Sequence, residues 1–249
     1  MDIKRYWPRT LFLIYFGYHN IMILTAKTYM PYPLDQIYSK TLINYTDALA
    51  KMEFLAQEIS EQKRNSTIWL LQHPPIYTAG SGAQKEDLLE EKFPVYQSGR
   101  GGKYTYHDPG QRVVYLMINL KQIQTQPDIR EFIKRLENSA ITTFKEIGIN
   151  TFLKEGLIGI WTKKDGIDHK IAAIGIRVKR WVTYHGIAFN ISPELANFSG
   201  IIPCGIKEYG VTSLSDLGIN ISFAEFDQIF IKHFCASFNF YLSENYENV

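Results

Sequence analysis

Cysteine is scarce in this chain: Cys204 and Cys235 are the only two in 249 residues. Lying 31 positions apart, they supply neither a disulfide framework nor the clustered ligands of a zinc site. A reducing cytoplasm is the compartment that fits this usage. Charge of one sign is also lacking. Formal net charge is +2, and the basic residues are scattered apart from the short run Arg177-Val178-Lys179-Arg180, so no nucleic-acid partner is expected. Long apolar runs are missing too. The longest outline, Leu11 to Leu24, covers about 14 residues where a bilayer-spanning helix needs about 20. No stable membrane association is expected.

Lys4, Arg5 and Arg9 precede that apolar stretch in the manner of a signal peptide, but Gly17, His19 and Asn20 interrupt it and no small-x-small cleavage site follows. Residues 1–30 therefore read as an extension ahead of the domain proper, with Met30 as an alternative start, and residues 31–249 as the domain. With 45% hydrophobic and 21% charged residues the chain is expected to fold as a soluble globule. No Pro/Gly/Ser-rich linker and no repeat divides it, which favours a single α+β domain.

Apolar spacing predicts the elements. Leu49, Met52, Leu55 and Ile59 share one face of a helix over Tyr45 to Arg64. Thr67 to Gln72 reads as a buried strand stopped by Pro74-Pro75, and Val113 to Leu120 as another. Asp128 to Ile147 is a second amphipathic helix ended by Gly148. Leu157 to Trp161, Lys170 to Val178 and Thr183 to Ile191 read as strands. Ser222 with Glu225 three residues later opens a last helix through Phe226, Phe230 and Phe234.

Three glycine-bearing segments could carry chemistry. In Arg100-Gly101-Gly102-Lys103-Tyr104-Thr105-Tyr106-His107-Asp108-Pro109-Gly110-Gln111 the paired glycines let backbone approach a ligand and Arg100 can hold an anion or a carbonyl; the plainer reading is a hairpin turn and a strand. It matches neither G-x-G-x-x-G nor a Walker loop, so no nucleotide is implied. Small residues in Lys170-Ile171-Ala172-Ala173-Ile174-Gly175 leave a groove suited to an alkyl chain or to a neighbouring helix. Tyr184-His185-Gly186-Ile187-Ala188 is likewise small and apolar after a histidine. Cys204 sits in Pro203-Cys204-Gly205, a turn, where a nearby cation such as Lys170 would make the thiol a nucleophile. Cys235, inside the last helix, reads as packing. His73 reads as a local hydrogen-bonding group, and His169 as solvated.

Together the motifs Arg100-Gly101-Gly102-x-x-Thr105-Tyr106-His107-x-Pro109-Gly110-Gln111, Lys170-Ile171-Ala172-x-Ile174-Gly175, His185-Gly186-Ile187-Ala188-x-Asn190 and Pro203-Cys204-Gly205 resemble those of the lipoyl (octanoyl) transferases. The resemblance runs from about Tyr45 to Leu214. It implies the fold shared with biotin and lipoate ligases, a mixed β-sheet flanked by helices. It also implies transfer of an octanoyl chain from acyl carrier protein to a lysine of lipoyl domains. The acceptors would be the 2-oxoacid dehydrogenase E2 subunits and the glycine cleavage H protein. On matching positions Cys204 is the acyl-thioester nucleophile and Lys170 the lysine that lowers its pKa, a cysteine-lysine dyad. Arg100, Gly101, Gly102, Lys103, Tyr104, Thr105, Tyr106 and His107 would line the acyl pocket, with Ala173, Ile174, Gly175, Gly186, Ile187 and Ala188. Thioester-to-amide exchange needs no ATP, metal or other cofactor. Asp108 departs from the usual glycine, as in lipoate ligases, which keeps an ATP-dependent ligase as the alternative. The segment Lys154 to Gly159 lacks the usual Pro-Gly, and residues 1 to about 30 match nothing.

Overall fold

Polypeptide between Tyr32 and Gln72 sets the frame. Strand β1 (Tyr32–Leu42) and strand β2 (Ser66–Gln72) pair in parallel, so a crossover must join them, and helix α1 (Tyr45–Ser60) supplies it. The structure is a computed structural model that describes residues 30–202 and 209–249. The signal-like outline over Leu11 to Leu24, the rest of the N-terminal extension up to residue 29, and Pro203-Cys204-Gly205 lie outside the described residues.

A small sheet follows β2, in which β3 (Ile76–Ala79) pairs in parallel with β4 (Val95–Gln97) and antiparallel with β5 (Tyr104–His107). The main sheet resumes with β6 (Gln111–Met117). Then come the short helix α2 (Leu120–Ile123), helix α3 (Ile129–Glu146), β7 (Thr151–Lys154), β8 (Leu157–Lys164), β9 (Ile167–Lys179) and β10 (Val182–Asn190). Strand β11 (Gly210–Val211), helix α4 (Phe223–Phe238) and β12 (Phe240–Asn248) complete it. Strand order is β12-β1-β2-β6-β10-β9-β8-β7, with β11 added in parallel beside β9.

Residue alternation divides the sheet between two cores. Ile68, Leu70, Val114, Leu116, Ile187 and Phe189 face α3 and α4, which contribute Phe132, Leu136, Ala140, Phe144, Phe226, Phe230 and Phe234. Trp69, Leu71, Val113, Tyr115 and Met117 face α1, which contributes Met52, Leu55 and Ile59. The fold is thus the expected mixed sheet with flanking helices. Some boundaries differ from expectation. Helix α1 stops at Ser60 because Gln62 turns left-handed (φ 59°). The strand expected to reach Leu120 ends at Met117, and Asn119 caps α2 by accepting from the Lys121 amide at 3.1 Å. Ser222 caps α4 as expected, accepting from the Glu225 amide at 3.2 Å. Among the described residues no helix is long and apolar enough to cross a membrane.

One polar link crosses the apolar layer between sheet and α4. Arg112, fully buried on β6, donates through Nε to Asp227 Oδ1 at 2.9 Å, and its guanidinium lies 4.4 Å from the Phe223 ring centroid. Removing one partner strands the other charge in a dry layer. Asp227→Ala should therefore lower unfolding free energy by about 3–5 kcal/mol in denaturant titration, whereas Arg112→Met with Asp227→Leu should cost much less. Equal losses in the two proteins would refute the ion-pair account.

Candidate active site

The glycine-bearing segments converge on one cavity of about 340 Å³. Its walls take Arg100 through Thr105 and His107 from the first motif, Ala173, Ile174 and Gly175 from β9, and Gly186, Ile187 and Ala188 from β10. Lys170 lines it as well. Tyr106 is not among the lining residues; its ring packs between Tyr77, Phe93 and Phe198 in the small-sheet core, and its hydroxyl donates to Asp108 Oδ2 at 3.1 Å. Tyr104 and Tyr106 alternate with Thr105 and His107 along β5 and both join that core, but only Tyr104, next to the glycine loop, also reaches the cavity wall. Gly175 has to lack a side chain: a Cβ there would come within 2.7 Å of Arg100 Cδ.

A register shift delivers Lys170 to the cavity. Along β8 and β9, Ile160 pairs with Ala172 but the next residue, Trp161, pairs with Lys170, so Ile171 is the extra residue of a β-bulge. Without it, Lys170 and Ala173 would point to opposite faces; the bulge puts both on the cavity side, while Ile171 and Ala172 join the core under α3 and α4. The Lys170 ammonium, 5% exposed as a residue, donates to the Ile158 carbonyl at 2.9 Å and stands 4.8 Å from the Trp161 ring centroid. Gly159, at φ 129°, makes room for it: a Cβ would meet the Ala172 carbonyl at 2.8 Å and Lys170 Cε at 3.1 Å.

Arg100 is turned into the protein framework. Its Nη2 donates to the Thr78 carbonyl at 2.7 Å and to Thr78 Oγ1 at 2.8 Å, bracing the glycine loop against β3. Three buried imidazoles stand near it. His73 donates from Nδ1 to the Ile43 carbonyl at 2.6 Å and accepts the Tyr115 hydroxyl at Nε2, in keeping with a local hydrogen-bonding role. Burial pushes His73 down to about 4, and His107 and His185 down to about 3, so all three are neutral near pH 7. His185 holds a left-handed φ of 61° inside β10, and its Nε2 is buried without a partner among the described residues. Cys235 is half-buried against the α3–α4 core and pushed up to about 11 by burial, as a packing thiol should be.

Cys204 lies outside the described residues, as do its neighbours from 203 to 208. The residues on either side are anchored. The Ile202 amide donates to the Asp87 carbonyl at 2.7 Å, and Val211 pairs with Lys170 and lines the cavity.

Residues 44–235 match the family described as the lipoyl protein ligase A/B catalytic domain. The chain belongs to that family. Among curated proteins it is 48% identical to the octanoyltransferase of Wolbachia pipientis subsp. Culex pipiens, over 80% of this chain and 97% of that protein. It is 46% identical to the octanoyltransferase of Ehrlichia chaffeensis, over 79% of this chain and 92% of the other. Among solved structures, a lipoate-protein ligase A bound with ATP superposes with a TM-score of 0.68 at 15% identity, over 87% of this chain and 89% of that one. The bipartite lipoate protein ligase of Thermoplasma acidophilum does so with a TM-score of 0.65 at 13% identity, over 88% of each chain. At such identities the two structures share the fold.

Within this lipoyl protein ligase A/B domain the cavity also takes residues that the sequence reading did not assign to it: Gln111, His185 and Asn190, which stood in the motifs, and Tyr45, Val113, Tyr115 and Phe198, which did not. Gln111 and Asn190 carried a legible signal, being amides in otherwise apolar strands. Tyr45 and Tyr115 carried none, because aromatic residues are ordinary in a helix or strand core.

Two outcomes follow for the domain. Gly159→Ala forces a Cβ against backbone and against the Lys170 stem, so a loss of about 2 kcal/mol or more in denaturant unfolding is expected; an unchanged midpoint would mean that β8 has slack. Asp108 is buried, with Oδ2 accepting from the Glu194 amide, and burial pushes its carboxyl up to about 6. A carboxyl whose folded pKa exceeds its unfolded value of about 3.9 loses stability as pH rises through that interval. Asp108→Asn should therefore gain on the wild type as pH rises from about 4 to 7, and a stability difference independent of pH would contradict the assignment.

Proposed function

We propose that this protein is an octanoyltransferase: it takes an octanoyl group from acyl carrier protein and delivers it to a lysine of lipoyl domains, through a thioester on Cys204. The observation that carries the reading is the bulge-directed Lys170 in the wall of a largely apolar cavity, in a chain nearly half identical to curated octanoyltransferases over most of both lengths. Chain connectivity supports the partner residue. Gly210 and Val211 pair with His169 and Lys170, only six and seven residues beyond Cys204.

The chemistry runs in two balanced steps. The Cys204 thiolate attacks the carrier thioester; a C–S bond to the enzyme forms, the C–S bond to the carrier breaks, and the carrier thiol departs with a proton. The acceptor amine then attacks the acyl-enzyme; a C–N bond forms, the enzyme C–S bond breaks, and the amine proton returns to sulfur. An ordinary thiol, with pKa of about 8.5, is only a few per cent ionised at neutral pH. An ammonium about 4 Å from the sulfur would favour the thiolate by about 4 kcal/mol at an effective dielectric near 20, before desolvation offsets part of it. The small side chains of Ala173, Gly175, Gly186 and Ala188 leave room for the alkyl chain. The E2 subunits and the H protein are the proposed acceptors, and the cytoplasm the proposed site of action.

Incubation with octanoyl-carrier protein should add one octanoyl group to the intact mass of the wild type and none to Cys204→Ser. Lys170→Met should slow acylation by about 100-fold or more. An ATP-dependent ligase is the alternative, favoured by Asp108 but less supported by the curated relatives. Strict dependence on ATP, with activity surviving Cys204→Ser, would establish the ligase instead.

A further inference from the structure

A chain of hydrogen bonds ties Lys170 to His107 and fixes which nitrogen of that histidine carries hydrogen. The Thr212 amide donates to the Lys170 carbonyl at 3.0 Å. The Thr212 carbonyl, which can only accept, lies 2.9 Å from Asn190 Nδ2. That contact orients the Asn190 amide, so its Oδ1 must receive a hydrogen, and Gln111 Nε2 gives it at 2.8 Å. Gln111 Oε1 is thereby left facing His107 Nδ1 at 2.5 Å, and an amide oxygen there requires Nδ1 to be the protonated nitrogen. His107 Nε2 then bears a lone pair.

That lone pair faces the cavity. His107 is 7% exposed and lines the cavity wall; among the described residues its Nε2 has no hydrogen-bond partner and is not fully buried. A neutral Nε2 of this kind cannot donate, so it cannot stabilise an oxyanion. It can only accept from an N–H or O–H group brought into the cavity. Of the two substrates in the proposed transfer, the acyl thioester bears no N–H or O–H on its reacting carbon, oxygen or sulfur. The attacking lysine amine has one to spare.

We propose that His107 accepts a hydrogen bond from the attacking amine of the acceptor lysine and aligns its nitrogen lone pair on the acyl carbonyl, held in the required tautomer by Gln111, Asn190 and the Thr212 carbonyl. This rests on the transferase reading above. In the step itself the C–N bond forms and the C–S bond breaks. One amine proton passes to the departing sulfur, while the hydrogen held by Nε2 stays on the amide nitrogen. The charged and titratable groups facing His107 are His73, Arg100 and His185; burial first, and the Arg100 charge beside it, disfavour an imidazolium at that position, while the other two imidazoles are themselves neutral. Tautomer and charge thus both keep the lone pair available.

The test separates the two half-reactions. In His107→Phe, acylation by octanoyl-carrier protein, followed by intact mass, and discharge of the isolated acyl-enzyme to a small thiol, which presents no spare N–H, report any change in the cavity wall itself. Discharge to a lipoyl-domain lysine should slow by about 10- to 100-fold beyond either of them, the loss of one hydrogen bond to the reacting amine. Gln111→Glu supplies an independent reading, since a carboxylate opposite Nδ1 favours the imidazolium and converts Nε2 into a donor. Its discharge rate relative to wild type should fall as pH drops from about 8 to about 6. Parallel slowing of acylation, amine discharge and thiol discharge in His107→Phe would reduce His107 to a wall residue and overturn the proposal, as would a Gln111→Glu ratio independent of pH. Failure of the wild type to form an acyl-enzyme would instead overturn the transferase reading on which this one rests.

Discussion

One extra residue in one strand governs the site. Sheet pleating alternates side chains strictly, so the core that Ile171 and Ala172 help to form would otherwise have turned Lys170 away from the cavity. The bulge at Ile171 breaks the alternation once. Everything chemical is then measured from the ammonium it redirects. Gly159 gives up its side chain to make room for the lysine stem, Trp161 lies beneath the charge, the Ile158 carbonyl accepts from it, and β11 pairs alongside.

The cavity combines two surroundings that physical chemistry usually keeps apart. Along β9 and β10 its surface is alkyl and glycine, which suits a hydrocarbon chain. Along β5 and β6 it carries the His107 imidazole, the Gln111 amide and the Tyr115 phenol, and the hydrogen bonds through Gln111 fix the tautomer of His107. Burial keeps His107 and His185 neutral, so the positive charge at the cavity comes from Lys170 and Arg100 rather than from histidine. Arg100 is largely spent on Thr78, where it braces the loop that forms one wall. In the proposed division of labour the arginine shapes the wall, and the lysine supplies the charge for the nucleophile proposed at Cys204.

Much of this was legible in the chain itself, for identifiable reasons. Helices α1, α3 and α4 announced themselves because each buries one face and imprints its period on the sequence, and β2 because burial on both faces makes it a continuous apolar run. The cavity segments were legible because only small residues permit close approach, and small residues in a strand stand out. What stayed hidden depends on partners far along the chain. The Ile171 bulge exists only in the pairing of β9 with β8, and no local feature of Lys170-Ile171-Ala172 encodes it. The tautomer of His107 depends on Asn190, 83 positions away. Tyr106 was grouped with its motif neighbours, yet pleat alternation turns it into the small-sheet core. The left-handed backbone of His185 had no sequence signal other than the glycine that follows it.

Comparison of thiol ionisation with and without the redirected charge is the most direct measure. The rate of Cys204 alkylation by a small haloacetamide, followed against pH in a Cys235→Ala background, reports the ionisation of that one sulfur. The account predicts a midpoint well below the ordinary thiol value of about 8.5 in the wild type, moving to about that value or above in Lys170→Met. The same midpoint in both proteins would contradict it.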